Sequence, residues 1–208
     1  MFILTKIADL VQIEPNDFTK DASAAIKDNI NAKYSNKVIQ KIGLCVCLYD
    51  LLSASEGLIG HGTGIVNVNV EFRLIVFRPF KHEVMMGRIS SADTKGINIR
   101  TTFFNDIFVP CSMLPEGASF NPTEGIYEWD QEGSPLYYDN HEMVRFRVES
   151  EEWFDQAPVG PAGDDDEESK KSPYRIIATM EDPGLGPCLW WDDAEEEGDE
   201  GDEQMEDA

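Results

Sequence analysis

Glu83-Val-Met-Met-Gly-Arg-Ile-Ser-Ser-Ala-Asp-Thr-Lys-Gly-Ile-Asn-Ile-Arg-Thr-Thr-Phe-Phe-Asn-Asp-Ile-Phe-Val-Pro110 reads as three short strands in a row. Val84 to Ser90 is the first, and Asp93-Thr-Lys-Gly96 has turn chemistry. Ile97 to Thr102 is the second, Asn105-Asp106 turns again, and Ile107 to Val109 runs into Pro110. Ile97 and Ile99 alternate with Asn98 and Arg100, which gives one buried and one polar face. Gly87 inside the first strand predicts a bulge or sharp bend, as a tightly curled sheet needs. Short strands at this spacing, separated by Gly, Asn and Asp, indicate a small all-β barrel.

A barrel of this kind fits an OB-fold, whose open face commonly binds single-stranded nucleic acid. Further downstream, Val144-Arg-Phe-Arg-Val148 is another strand, with Arg145 and Arg147 facing out together. Tyr174 to Met180 is the next, and Cys188-Leu-Trp-Trp191 is expected to close the barrel. Between Pro110 and Val144, Phe120 to Asp139 reads as a long, weakly patterned loop. The outward cations Arg88, Lys95, Arg100, Arg145 and Arg147, with Phe103 or Phe104 to stack a base, form a candidate RNA-binding face. The bland alternative is that the aromatics fill the barrel and the arginines pair with acids such as Glu149.

Upstream of the barrel the pattern changes. Phe2 to Ile13 is a long strand with Ile3, Ile7, Val11 and Ile13 on one side. Asn16 or Asp17 is placed to cap a helix in which Phe18, Ala22, Ala25, Ile26 and Ile30 share a face. Val38-Ile39 is a short strand, and Leu44 to Leu52 is apolar on both faces, as in a central strand covered on both sides. The glycine-rich loop Ser53–Gly64 is followed by a strand rather than a helix. It therefore has no helix N-terminus to hold phosphate, and it reads as a mobile hairpin tip. Ile65 to Phe77 alternates with Val66, Val68, Val70, Phe72, Leu74 and Val76 on one face. Residues 1–80 thus form an α+β layer, one helix on an antiparallel sheet, resembling a truncated RNA-recognition fold. The aromatic signature that stacks bases on such a sheet is missing, since the middle strand offers Cys45, Cys47 and Tyr49. This N-terminal domain therefore reads as a docking surface, with Phe2, Ile3, Leu4, Leu44, Val46 and Leu48 toward a partner. Glu56, Gly57, Gly60 and Gly62 of the loop form a second contact.

The formal net charge of −23 is unevenly spread. Residues 1–80 carry 8 basic and 8 acidic side chains, whereas residues 192–208 carry 11 acidic and none basic. An acidic chain makes poor non-specific contact with phosphate, so any nucleic-acid role needs a local basic patch or a basic partner. The OB-fold domain is expected over 81–191, with a disordered acidic insertion at about 157–173 and a disordered tail at 192–208. The four cysteines include no C-x-x-C pair and the three histidines are scattered, so neither a zinc site nor a nucleophilic pair is indicated. No metal or other cofactor is expected. There is no secretory signal and no apolar run near membrane-spanning length, and the chain reads as a soluble protein of a reducing compartment.

A series of segments carries a family resemblance. Met1-Phe-Ile-Leu-Thr-Lys-Ile-Ala-Asp-Leu-Val, Gly43-Leu-Cys-Val-Cys-Leu-Tyr-Asp50, Phe72-Arg-Leu-Ile-Val-Phe-Arg-Pro-Phe80, Phe104-Asn-Asp-Ile-Phe-Val-Pro110, Val144-Arg-Phe-Arg-Val148 and Pro183-Gly-Leu-Gly with Trp190-Trp191 occur in order. Together they resemble the larger stalk subunits of eukaryotic RNA polymerase III, a family that also has members in archaeal RNA polymerase. The resemblance implies a non-catalytic subunit of a DNA-directed RNA polymerase in the nucleus. It implies a heterodimeric stalk with a small helical subunit, supporting transcription initiation. The N-terminal domain would seat on the polymerase core, and the OB-fold would face nascent RNA, with initiation factors as further partners. A free-standing OB-fold factor of translation or RNA processing is the alternative. Such a factor has little need for a 12-residue N-terminal strand and a strand apolar on both faces.

Overall fold

The computed structural model describes residues 1–131, 133–155 and 172–191. The expected acidic insertion, apart from its last two residues, and the acidic tail lie outside the described residues. The chain divides into two compact units, Met1–Pro79 and Phe80 onward.

The first unit is built on alternation. β1 (Phe2–Ile13) puts Val11 and Ile13 into the core, while its even-numbered residues are exposed. A short 3-10 turn, Pro15–Thr19, leads to α1 (Ala22–Tyr34). The turn and the helix are separate, contrary to the expected single helix from Asn16 or Asp17. The Asp21 carboxylate accepts the Ser23 N–H at 3.1 Å and starts the helix there, leaving Phe18 exposed. The remaining strands are β2 (Lys37–Ile39), β3 (Gly43–Ala54), β4 (Leu58–Ile59) and β5 (Val66–Phe77). The antiparallel order is β1-β5-β3-β2, with β4 also on β5. Ala25, Ile26 and Ile30 of α1 pack on Val68, Val70, Phe72, Leu74 and Val76 of β5 and on Cys45 of β3. Burial pushes the Cys45 thiol up to about 11, which leaves it an inert core residue.

β5 and β3 are both interior strands, β3 lying between β5 and the short β2. β3 reads as apolar on both faces for a reason other than cover on both sides. Its register against β5 slips at Cys45/Cys47, Leu48/Asp50 and Leu51/Ser53, so Val46, Tyr49 and Leu52 are the extra residues of three successive bulges. The strand then has a period of three. Cys45, Leu48 and Leu51 pack against the core, while Val46, Tyr49 and Leu52 are exposed.

One polar cluster ties α1 to β1. Asp9 accepts hydrogen bonds from Lys33 Nζ and from Tyr34 O–H, the latter at 2.7 Å. Burial would raise the Asp9 carboxyl, but these two donors hold it below the ordinary carboxylate range. A depressed folded-state pKa contributes stability above the unfolded value and loses it as pH falls. Asp9→Ala is therefore expected to cost about 1–2 kcal/mol at neutral pH. The difference from wild type should shrink as pH falls below about 4, because the unfolded chain takes up the proton that folded Asp9 resists. Urea melts of both proteins at pH 7 and pH 3 check this, and an equal difference at the two pH values would contradict it.

The second unit contains β6 (Val84–Asp93), β7 (Gly96–Arg100), β8 (Ile107–Pro110), β9 (Ala118–Asn121), β10 (Ile126–Gln131) and β11 (Ser134–Tyr138). β12 (Met143–Trp153), β13 (Tyr174–Thr179) and β14 (Gly186–Pro187) follow. The sheet order β13-β8-β7-β6-β12 closes on itself through β12–β13, giving the five-stranded barrel of the expected fold. Its interior is filled by Ile89, Ile97, Ile99, Ile107, Val109, Val144, Phe146, Val148, Tyr174 and Ile176. One junction, β13–β8, is parallel and only two residue pairs long, Ile176↔Ile107 and Ile177↔Phe108. β13 closes the barrel. Cys188–Trp190 is a 3-10 turn beyond β14 and not the closing strand.

Gly87 is paired regularly with Val144, and the bulge lies between Ile89 and Ser91. The glycine is needed for space: a Cβ there would stand 2.6 Å from Ile99 Cγ2 and 3.0 Å from the Arg100 carbonyl. The expected loop over 120–139 is instead a three-stranded antiparallel meander, β9-β10-β11. Aromatic packing holds it, with Trp129 5.5 Å and Tyr138 4.8 Å from Trp190. The Tyr127 hydroxyl donates to the Asp93 carbonyl at 2.9 Å.

Candidate nucleic-acid interface and docking surfaces

The barrel face made by β7, β6 and β12 is set by strand register. Met85, Gly87 and Ile89 of β6 point inward, so Val84, Met86, Arg88 and Ser90 point outward. Arg88 lies directly opposite Arg100 on β7, and opposite Met143 on β12. One step along, Met86 faces Arg145, and Val84 faces Arg147. Two like charges directly across a strand pair repel and destabilise the free protein. Arg88 and Arg100 are both exposed, and Arg88 Nη1 donates to the His141 carbonyl at 3.2 Å. Such a pair is suited to an anion laid across both strands.

The other expected RNA contacts divide. Arg145 is half-buried and stays on this face. Arg147 is paired with Asp182, while Glu149 is taken by Lys81 at 3.3 Å and His82 at 3.5 Å. Lys95 is not beside the arginines. It sits in the β6–β7 turn, at the end of β7 opposite to Arg100, with its N–H on Asp93 Oδ1. Phe104 is 5% exposed and packs 5.5 Å from Tyr174, so it fills the barrel and cannot stack a base. Phe103 is 42% exposed in the turn after β7, which the Thr101 N–H closes on the Phe104 carbonyl at 2.7 Å. The apolar contribution of Val84, Met86 and Met143 was missed from sequence. The alternation of β6 carries the signal, since residues 84 and 86 share parity with Arg88.

The expected docking residues also divide. Phe2, Leu4 and Val46 are exposed, whereas Leu44 is buried and Ile3 and Leu48 pack against the unit's own core. Leu44 is thus a core residue, and Ile3 and Leu48 present only part of their surface outward. Leu10, Tyr49 and Leu52 join the exposed set, beside the ion pairs Lys6–Glu71 and Arg73–Asp50. The Arg73 guanidinium holds Asp50 below the usual carboxylate range and lies 5.2 Å over the Tyr49 ring. In the glycine-rich loop, Glu56, Gly57 and Gly62 are exposed and Gly60 is half-buried. Part of this loop is a strand, because Leu58 and Ile59 pair with Asn67 and Val66. Leu58 and Ile59 are 70% and 73% exposed, the most exposed large apolar side chains among the described residues. Sequence reading passed over them in favour of the flanking glycines.

Among the described residues no group of three or more His, Cys, Asp or Glu is placed to hold a metal ion. No helix there is long and apolar enough to cross a membrane.

Residues 8–64 match the SHS2 domain found in the N terminus of Rpb7p, Rpc25p and MJ0397, and residues 83–191 match the family described as RNA polymerase III subunit Rpc25. The chain is 42% identical over 203 residues to DNA-directed RNA polymerase III subunit rpc8 of Schizosaccharomyces pombe, covering 92% of this chain and all of that one. It is 38% identical over 212 residues to subunit RPC8 of Saccharomyces cerevisiae, with the same two coverages. Identity to subunit RPC8 of Bos taurus is 35% over 201 residues, 92% of this chain and 98% of that one. The chain is also 24% identical over 190 residues to the archaeal DNA-directed RNA polymerase subunit Rpo7 of Saccharolobus solfataricus, covering 91% of this chain and 97% of that one. With matches in order through both units, the chain belongs to the RNA polymerase III subunit Rpc25 family.

Proposed function

We propose that this protein is a non-catalytic subunit of nuclear RNA polymerase III, which forms a stalk with a small helical subunit, supports initiation and contacts nascent RNA. Family membership supports the polymerase assignment. The RNA reading is carried by one observation, the exposed cross-strand pair Arg88–Arg100 bordered by Met86, Met143 and Arg145. The arginines take phosphates, while the apolar rows and Phe103 accept bases without reading their sequence, which suits a subunit that meets many transcripts. The exposed apolar face of the first unit and the Leu58–Ile59 tip supply surfaces for the small subunit and for the polymerase core. With few cations, RNA binding is weak and salt-sensitive. The test is binding of single-stranded RNA by wild type, by Arg88→Glu with Arg100→Glu, and by Lys95→Glu. The double variant is expected to lose about 1.4 from the log–log salt slope. Lys95→Glu leaves the slope close to wild type. Equal slopes for wild type and the double variant would remove this face from the RNA path.

A further inference from the structure

The chain contains two Ser-Pro pairs, Ser134-Pro135 and Ser172-Pro173. Only the second is followed by a basic residue three places after the serine, Arg175 where the first has Tyr137. A serine followed by proline and then, at that spacing, by a cation is the substrate pattern of proline-directed protein kinases.

Ser172 also occupies a mechanically sensitive place. It is half-buried two residues before β13, and its Oγ lies 2.8 Å from Asp106 Oδ2 and 3.1 Å from the Tyr174 carbonyl. A hydroxyl has one proton, and the carboxylate is the stronger acceptor, so the bond to Asp106 dominates. Asp106 stands just before β8, and its carbonyl accepts the Ile176 N–H at 2.9 Å. Ser172 and Asp106 thus pin one end of the β13–β8 junction, the shortest seam of the barrel. The loop that ends at Asp106 carries Phe103, and Phe104 of the same loop packs on Tyr174.

We propose that Ser172 is a phosphorylation site for a proline-directed serine/threonine kinase, and that its phosphate opens the β13–β8 end of the barrel. The kinase transfers the γ-phosphoryl group of ATP to Ser172 Oγ. The new O–P bond replaces the one to ADP, which leaves, and the hydroxyl proton passes to the kinase's base and then to solvent. The hydrogen bond to Asp106 is lost with that proton, and a near-dianionic group then faces a carboxylate at a contact distance. A phosphate beside an acidic side chain disrupts by like-charge repulsion and desolvation. A seam of two residue pairs offers little to resist it. Kinase access requires residues 172–175 to open from the seam and from β12, drawing Tyr174 out of the barrel interior in a local unfolding step. At Ser134, exposed at the start of β11, a phosphate would face solvent and break no such bond.

The full chain is incubated with ATP and a cyclin-dependent kinase, then analysed by peptide mass mapping and backbone hydrogen exchange. The expected result is one phosphoryl group at Ser172, absent from Ser172→Ala. Amide exchange in residues 103–109 and 173–177 rises roughly tenfold, with residues 1–79 unchanged. No incorporation, incorporation at Ser134 alone, or phosphate at Ser172 with unchanged exchange at the seam would overturn the proposal. None of these readouts involves RNA or polymerase, so the outcome is independent of the proposed function.

Discussion

Leu58→Asp with Ile59→Asp is expected to detach the protein from the polymerase core while leaving it folded and able to hold the small helical subunit proposed as its partner. The two side chains project from β4 at the tip of the first unit, and neither contributes to that unit's core. Their backbone pairing to Val66 and Asn67 persists in the variant, so stability should change little. At an interface the consequence is different. An apolar pair inserted in a pocket acts as an anchor, and replacing each side chain by a carboxylate buries an unpaired charge. The loss is expected to be about 2 kcal/mol or more for each position, so the pair should weaken core association by roughly a thousandfold. Glycine changes nearby act differently: Gly62 has open space around it and a φ of +78°, so Gly62→Ala strains the turn without touching the apolar pair. Affinity purification of tagged wild type and variant, followed by quantification of core subunits and of the small subunit, separates the two contacts. Unchanged recovery of the core subunits would show that this tip is not the anchor.

The second large effect concerns the barrel itself. Gly96 ends the β6–β7 turn at a φ of +155°, opposite Pro110 on β8. A Cβ there would overlap the Val109 carbonyl oxygen and sit 3.0 Å from Pro110 Cα. Both obstacles are backbone, so no rotamer change relieves them. Gly96→Ala is expected to cost roughly 3 kcal/mol or more, from overpacking together with an unfavourable backbone conformation. For a domain of this size that lowers Tm by an amount on the order of 10 °C. Calorimetry of wild type and variant should show the loss in the barrel transition, with the transition of the first unit in place. An unchanged barrel transition would mean that the turn adopts another geometry.

Much of this architecture is legible where alternation is simple. β5 places Val68, Val70, Phe72, Leu74 and Val76 in the core as their spacing indicates, and β7 and β12 do the same. The segment resemblance to the polymerase subunit family is confirmed by the family match. Three features were hidden for physical reasons. β3 carries a bulge every third residue, which breaks the two-residue period and makes a one-sided strand look covered on both sides. The meander β9-β10-β11 has adjacent buried residues, Ile126 and Tyr127, and a proline in an outer strand, so its pattern is neither strand-like nor helical. Its stability comes from Trp190, some 60 residues away in sequence, a contact no local pattern announces. The helix begins late because the N-cap is Asp21, which accepts the Ser23 N–H, while Asp17 sits inside the preceding 3-10 turn, and both aspartates are plausible caps on composition alone.

The candidate RNA face was readable only in part. Alternation gives Arg88, Arg100 and Arg145 their outward direction, but register decides which of them meet. Register also removes Lys95 from the group and assigns Arg147 to Asp182. The adjacent phenylalanines 103 and 104 go to opposite fates, one exposed and one buried, because a tight turn separates them.

The most direct test of the central claim is to map where RNA touches this subunit in the working enzyme. Polymerase III reconstituted with this chain is stalled with transcripts carrying photoreactive nucleotides at successive distances from the 3′ end, irradiated and digested. Crosslinks are expected at residues 84–90, 98–103 and 143–147, the outward face of the barrel, with their loss in Arg88→Glu with Arg100→Glu. Crosslinks confined to the first unit or to the β9-β10-β11 meander, or an undiminished yield from the double variant, would contradict that claim.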